Sequence, residues 1–280
     1  MTPLTCPERK NAVETDLVYA RPESAELRLD LHVPEGADAA PVAVYLHGGG
    51  WLTGSRKDAP ERLRALTEHG IAVAAIDYRT SDTAKLPAQL DDLAAAVDWL
   101  RRHGAAHGLA TERIGVLGAS AGAHLAALAA LTSGGVQAMV GYFGYYDLTS
   151  RAAQAPPDPS LAPPAAVLDT VWPDWVPMPP TLTYLQALLI GVPEDEASDE
   201  DLRPASPVAH AAPGAPPMLL LHGTADAVVS PQQSRWLAEA VTDAGGTAEL
   251  VLIDGANHED PAFARSDVAA TVARFLRAHL

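Results

Sequence analysis

Apolar residues along this chain gather into short, nearly unbroken runs: PVAVYLH (41–47), IAVAAID (71–77), RIGVLGA (113–119), VQAMVGYF (136–143), PMLLLHG (217–223) and TAELVLID (247–254). Runs of this length without polar alternation predict strands covered on both faces, as in a parallel sheet between helices. One further run, AELRLDLHV (25–33), alternates and predicts a half-exposed strand near an edge. Helical spacing appears between the runs. Leu90, Leu93, Val97 and Leu100 recur at three- and four-residue intervals within 87–104. AGAHLAALAALTS (121–133), SPQQSRWLAEAVTDAGG (230–246) and DVAATVARFLRAH (267–279) also read as helices. Ser230, Pro231 and Gln233 predict a capping box with proline at the first helical position. Strands alternating with helices define the α/β class, with a mainly parallel sheet.

One stretch departs from the alternation. Residues 151–217 hold 15 of the 24 prolines and the acidic run EDEASDED (194–201), and only TLTYLQALLIG (181–191) within them reads as a helix. A loop-rich segment this long inside a globular chain is either disordered or functional. Trp172, Trp175 and Tyr184 argue against disorder. The expected organisation is a core of 1–150 and 205–280, with 151–204 inserted as a cap. The acidic run is read as a solvated face.

Composition narrows the function classes. The 280 residues are 48% hydrophobic, enough for a full core, and the net charge of −16 disfavours nucleic acid and anionic membrane surfaces as partners. A single cysteine, Cys6, leaves no disulfide framework and no multi-cysteine zinc site. No apolar run is long enough to span a membrane, and the polar start MTPLTCPERKNAVETD lacks the apolar core of a signal peptide, so the expected setting is cytoplasmic.

Chemistry enters at GASAG (118–122). A serine between glycines, after an apolar strand and before an Ala/Leu helix, has the setting of a nucleophile on a tight elbow. A serine hydroxyl needs a base. Of ten histidines, His258 in DGANHED follows the last strand, at the sheet end where ligands meet a parallel sheet. His124, His222 and His47 read instead as internal hydrogen-bonding residues. The base needs an acid to fix its tautomer. Asp226 in HGTADAVVSP is the leading candidate; Asp147, Glu259 and Asp260 are its rivals. Acyl chemistry also needs donors for an oxyanion. LHGGGWLTGS (46–55) supplies a glycine loop, with Gly49, Gly50 and the Ala121 amide as the expected donors. Trp51, Tyr142, Tyr145, Trp172 and Trp175 are candidates to line an acyl pocket, against the alternative of plain packing.

Taken in order, HGGGW, AIDYR, LPAQLDDLAAAVDWLR, GASAGAHLAA, HGTADAVV and NHED resemble the α/β-hydrolase superfamily, and within it the HGGG-type bacterial esterases. The resemblance is greatest to the group containing feruloyl and acetyl-carbohydrate esterases, near the hormone-sensitive-lipase-like branch, and covers roughly residues 24–275. It implies Ser120 as nucleophile, Asp226 as acid and His258 as base, acting on a small-molecule ester without cofactor or metal. The stretch 151–180 matches no pattern of the family. The same parts would serve an arylformamidase or other amidase, and a non-catalytic binding member of the fold is a third possibility.

Overall fold

A computed structural model of the chain describes residues 12–23, 25–149 and 181–280. Eight strands form one sheet: β1 (Ala12–Ala20), β2 (Leu27–Val33), β3 (Ala40–Leu46), β4 (Ala72–Ile76), β5 (Leu109–Ala119), β6 (Ala138–Tyr142), β7 (Met218–Gly223) and β8 (Ala248–Ile253). Their order is β1-β2-β4-β3-β5-β6-β7-β8. β1 pairs antiparallel with β2, and β2 antiparallel with β4; every later pairing is parallel.

The continuous apolar runs follow from burial on both faces. In β3, Val42, Val44 and Leu46 join one core, while Ala43 and Tyr45 join the other. Helices α2 (Ala88–His103), α3 (Ala121–Thr132) and α5 (Gln232–Asp243) cover the first face; α1 (Pro60–Glu68) and α6 (Ser266–His279) cover the second. Leu93, Val97 and Leu100 of α2 turn inward as their spacing predicts. α4 (Leu182–Ile190) buries Leu185 and Leu189 on the first face, and the Leu189 carbonyl accepts from the Leu86 amide at 3.0 Å. The described part of the expected insertion therefore docks on the core, and its acidic run lies exposed.

Two local expectations are corrected, and two elements were not foreseen. The strand 25–33 is not half exposed, because β1 lies outside it and its residues are mostly buried. β1 itself, AVETDLVYA, escaped pattern reading as a polar, irregular edge strand, and α1 escaped it because only Leu63 and Leu66 are large apolar residues there. The capping box at Ser230 is absent. Buried Gln233 instead accepts from the amides of Tyr146 and Asp147 at 2.8 and 2.7 Å and donates to the Asp147 carbonyl, satisfying backbone that leaves β6. α5 begins at Gln232, with Pro231 as its cap and no side-chain cap bond.

At the β5–α3 junction, backbone passes backbone without room for a side chain. A Cβ on Gly122 would lie 2.2 Å from the Leu46 carbonyl oxygen, and one on Gly118 would lie 2.3 Å from that of Gly122. No flexible side chain can yield there. Gly122→Ala is expected to lower stability by about 3 kcal/mol through overpacking, read as a lower urea midpoint; an unchanged midpoint would contradict this packing.

Candidate active site

The parallel strands β3, β5, β7 and β8 deliver four loops to one edge of the sheet, at their carboxyl ends. β5 leads into Ser120, whose backbone adopts φ 52 and ψ −119, a region that L side chains rarely occupy. Two backbone bonds hold it there: the Ser120 amide donates to the Tyr142 carbonyl at 2.9 Å, and its carbonyl accepts from the His124 amide.

The loop after β8 places His258 over this serine. The Ser120 hydroxyl lies 3.0 Å from His258 Nε2, and His258 Nδ1 lies 2.8 Å from Asp226 Oδ2. A carboxylate accepts only, so Nδ1 carries the proton and Nε2 is left to accept from the hydroxyl. Asp226 has no exposed surface. Its Oδ1 accepts from the Val228 and Val229 amides at 2.9 and 2.8 Å. Burial works to raise its pKa, but the charge of His258 and hydrogen bonds from His222 and His258 outweigh it and hold the carboxyl well below the usual carboxylate range. The rivals are engaged elsewhere. Asp147 accepts from the Thr149 amide and hydroxyl, Glu259 pairs with Arg62, and Asp260 caps the turn at Ala262.

Sequence reading missed several supports. Asn257 Oδ1 accepts from the amides of Ala227 and His258, tying the loop of Asp226 to that of His258. Phe143 packs its ring 4.7 Å from the His258 imidazole. Arg56, just beyond the glycine loop, is held by Asp16, Asp30 and Asp77. Asn257 stands beside the base candidate, which was the one available signal; Phe143 and Arg56 act across long sequence separations that no local pattern reveals.

The glycine loop is anchored at both ends. His47 Nδ1 donates to the Gly48 carbonyl at 2.8 Å and its ring stacks on Tyr78, whose hydroxyl donates to the His47 carbonyl. The Gly49 carbonyl accepts from the amides of Leu52 and Thr53, which turns it into the loop. Gly49 adopts φ 104, and a Cβ there would lie 2.2 Å from the Thr53 carbonyl oxygen. Among the described residues, none accepts a hydrogen bond from the Gly49, Gly50 or Ala121 amide. A Cβ on Gly48 would touch that of Ser120 at 3.4 Å, so the loop runs alongside the serine.

The predicted lining residues divide. Trp51 is 2% exposed, and its indole N–H donates to His124 Nδ1 at 3.0 Å, so it braces the loop from beneath. Tyr145 is likewise buried. Tyr142 packs in the core between Arg62 and Phe263. Trp172 and Trp175 lie outside the described residues, as does Cys6.

A serine, an imidazole and a buried carboxylate hydrogen-bonded in series at a strand-to-helix elbow, over a mainly parallel sheet, fit the α/β-hydrolase fold. The chain belongs to the BD-FAE family, whose model matches residues 29–241. Esterase LipQ of Mycobacterium tuberculosis is 31% identical over 95% of this chain and 60% of its own length. Isoprenylcysteine alpha-carbonyl methylesterase ICME of Arabidopsis thaliana is 26% identical over 89% of this chain and 57% of its own. The chain spans 43–60% of the length of such curated relatives. A truncated carbohydrate esterase from gut microbiota shares the fold, with a TM-score of 0.77 at 24% identity over 98% of both chains. Native Thermogutta terrifontis esterase 2 superposes with a TM-score of 0.66 at 27% identity, over 96% of this chain and 89% of its own.

His124 links the glycine loop to the segment returning to β7. Its Nδ1 accepts from Trp51, so its Nε2 carries the proton and donates to the Ala205 carbonyl at 2.7 Å. Burial pushes its pKa down to about 4, the Ala205 bond opposing in part. An unfolded imidazole titrates near 6.5, so between these values the unfolded chain binds more protons. This contribution is complete above about pH 6.5 and lost as pH falls toward about 4, by about 3 kcal/mol in all. Denaturant unfolding at about pH 7 and about pH 4.5 should show His124→Gln losing less stability on acidification than the parent; equal losses would contradict the linkage.

Proposed function

We propose that the chain is a serine carboxylic ester hydrolase acting through an acyl-enzyme. The observation that carries this reading is the unbroken relay from Ser120 Oγ to His258 Nε2 at 3.0 Å and from His258 Nδ1 to Asp226 Oδ2 at 2.8 Å. Ser120 Oγ attacks the ester carbonyl carbon while His258 takes its proton. The imidazolium formed is stabilised by Asp226. The amides of Gly49, Gly50 and Ala121 are the proposed donors to the oxyanion, the last at the N-terminus of α3 where the helix dipole adds to it. Collapse expels the alcohol, which leaves with the proton from His258. Water then repeats the sequence on the acyl-enzyme and releases the acid.

Small to medium acyl esters are the proposed substrates, with aromatic or carbohydrate-linked esters among them. Names of the relatives and neighbours, esterases throughout, support ester over amide. Trp51 and Tyr145 are proposed to back the acyl pocket, with Trp172 and Trp175 of the 151–204 insertion completing it. No described helix is long and apolar enough to cross a membrane.

On p-nitrophenyl esters, Ser120→Ala should abolish turnover and fluorophosphonate labelling together. Asp226→Asn should lower kcat by about 10⁴, because the amide stabilises the wrong imidazole tautomer. Persistent labelling of the Ser120→Ala variant would overturn the assignment. His258 must be neutral to accept the proton, so kcat/KM should fall on the acid side of its profile. A flat profile from about pH 5 to about pH 9 would argue against a histidine base.

A further inference from the structure

We infer that Glu259 sets the charge selectivity of this site, disfavouring esters that carry an anionic group near the reacting carbonyl. The inference rests on Ser120 being the reacting residue. Glu259 follows the base directly and holds a positive φ of 53. Its Oε2 accepts from Arg62 Nη2 at 2.6 Å. Arg62 is 5% exposed and faces inward, with its guanidinium 4.9 Å from the Tyr142 ring and 5.2 Å from that of Phe143, and it reaches the Tyr45 hydroxyl at 3.3 Å. The other carboxylate oxygen is not part of that pair. Oε1 accepts no hydrogen bond from any described residue, and the Glu259 side chain is 28% exposed. A Cβ built on Gly48 would lie 3.5 Å from Oε1 and 3.4 Å from the Ser120 Cβ, so the free oxygen and the serine flank the same point of the glycine loop.

The pair is neutral in sum but not in its near field. The positive end is buried against aromatic rings, while the Glu259 side chain is partly exposed and its Oε1 approaches the same point of the glycine loop as the Ser120 Cβ. A substrate group a few ångströms away meets the carboxylate first. At effective dielectric constants between those of protein surface and water, one such charge is worth about tenfold in rate between anionic and neutral esters. A hydroxyl or a cationic group on the substrate would be favoured at the same position, since the carboxylate oxygen can only accept.

Three esters test this: p-nitrophenyl butyrate, p-nitrophenyl hemisuccinate and the p-nitrophenyl ester of 4-trimethylammoniobutyrate. The quantity read is kcat/KM for each charged ester relative to the neutral one. Glu259→Gln should raise the anionic-to-neutral ratio about tenfold and lower the cationic-to-neutral ratio. Arg62→Gln should shift both the other way, because the carboxylate then stands uncompensated. Structural loosening would move both variants in the same direction. Should Arg62→Gln fail to fold, salt gives the second readout: the difference between Glu259→Gln and the parent should shrink in about 1 M salt. Ratios unmoved by Glu259→Gln, or moved alike by both variants, or a salt-insensitive difference, would overturn the selectivity role while leaving ester hydrolysis intact. No turnover of any ester by the parent chain would overturn the proposed function and this inference with it.

Discussion

Everything at this site hangs on one buried charge. Asp226 has no surface in contact with water, and an ionised carboxylate is costly there unless its lone pairs are filled. Two backbone amides fill one oxygen, and His258 and His222 close on the other at 2.8 and 3.3 Å. The same bonds that offset the burial fix the His258 ring, and with it the nitrogen facing Ser120. His222 is fixed in turn by the Ser234 hydroxyl and the Val229 carbonyl. Asp226 is thus a structural joint between the loops after β7 and β8. Breaking it would leave an unpaired charge in the core, more damaging than the pair itself is stabilising.

A second constraint is steric. Ser120 holds a strained backbone because α3 must pass under the end of β3 with only hydrogen atoms between them. The strain is held by the sheet on one side and by α3 on the other, and it aims the hydroxyl away from both. The glycine loop takes its course from the same contact, since the carbonyls of Leu46 and His47 are what Gly122 makes room for. Ser120 and the glycine loop are therefore positioned by a single close approach, while Trp51 and His124 fasten them from the core side.

Much of this was legible in the sequence because its causes are local. A strand buried on both faces must read as an apolar run, and an elbow without space for Cβ atoms must read as G-x-S-x-G. That Ser120, Asp226 and His258 would be neighbours could be read for the same reason, since each stands in a distinctive short context at a strand end. Where causes are non-local, the reading failed. Gln233 looks like a capping residue from its spacing, yet its amide serves backbone some 87 residues away. β1 is polar because it is an edge, and its partner in the sheet gives no sign of it. Arg62 and Glu259 stand 197 residues apart, and nothing in HGGGW or NHED announces that they meet.

The central claim is that Ser120 carries the acyl group during turnover. Rapid acid quenching during hydrolysis of p-nitrophenyl butyrate, followed by peptide mass mapping, tests it most directly. The account predicts a butyryl increment on the peptide containing Ser120, appearing within the first turnover and disappearing once substrate is exhausted. Turnover with no acylated peptide, or with the increment on any other residue, would contradict it.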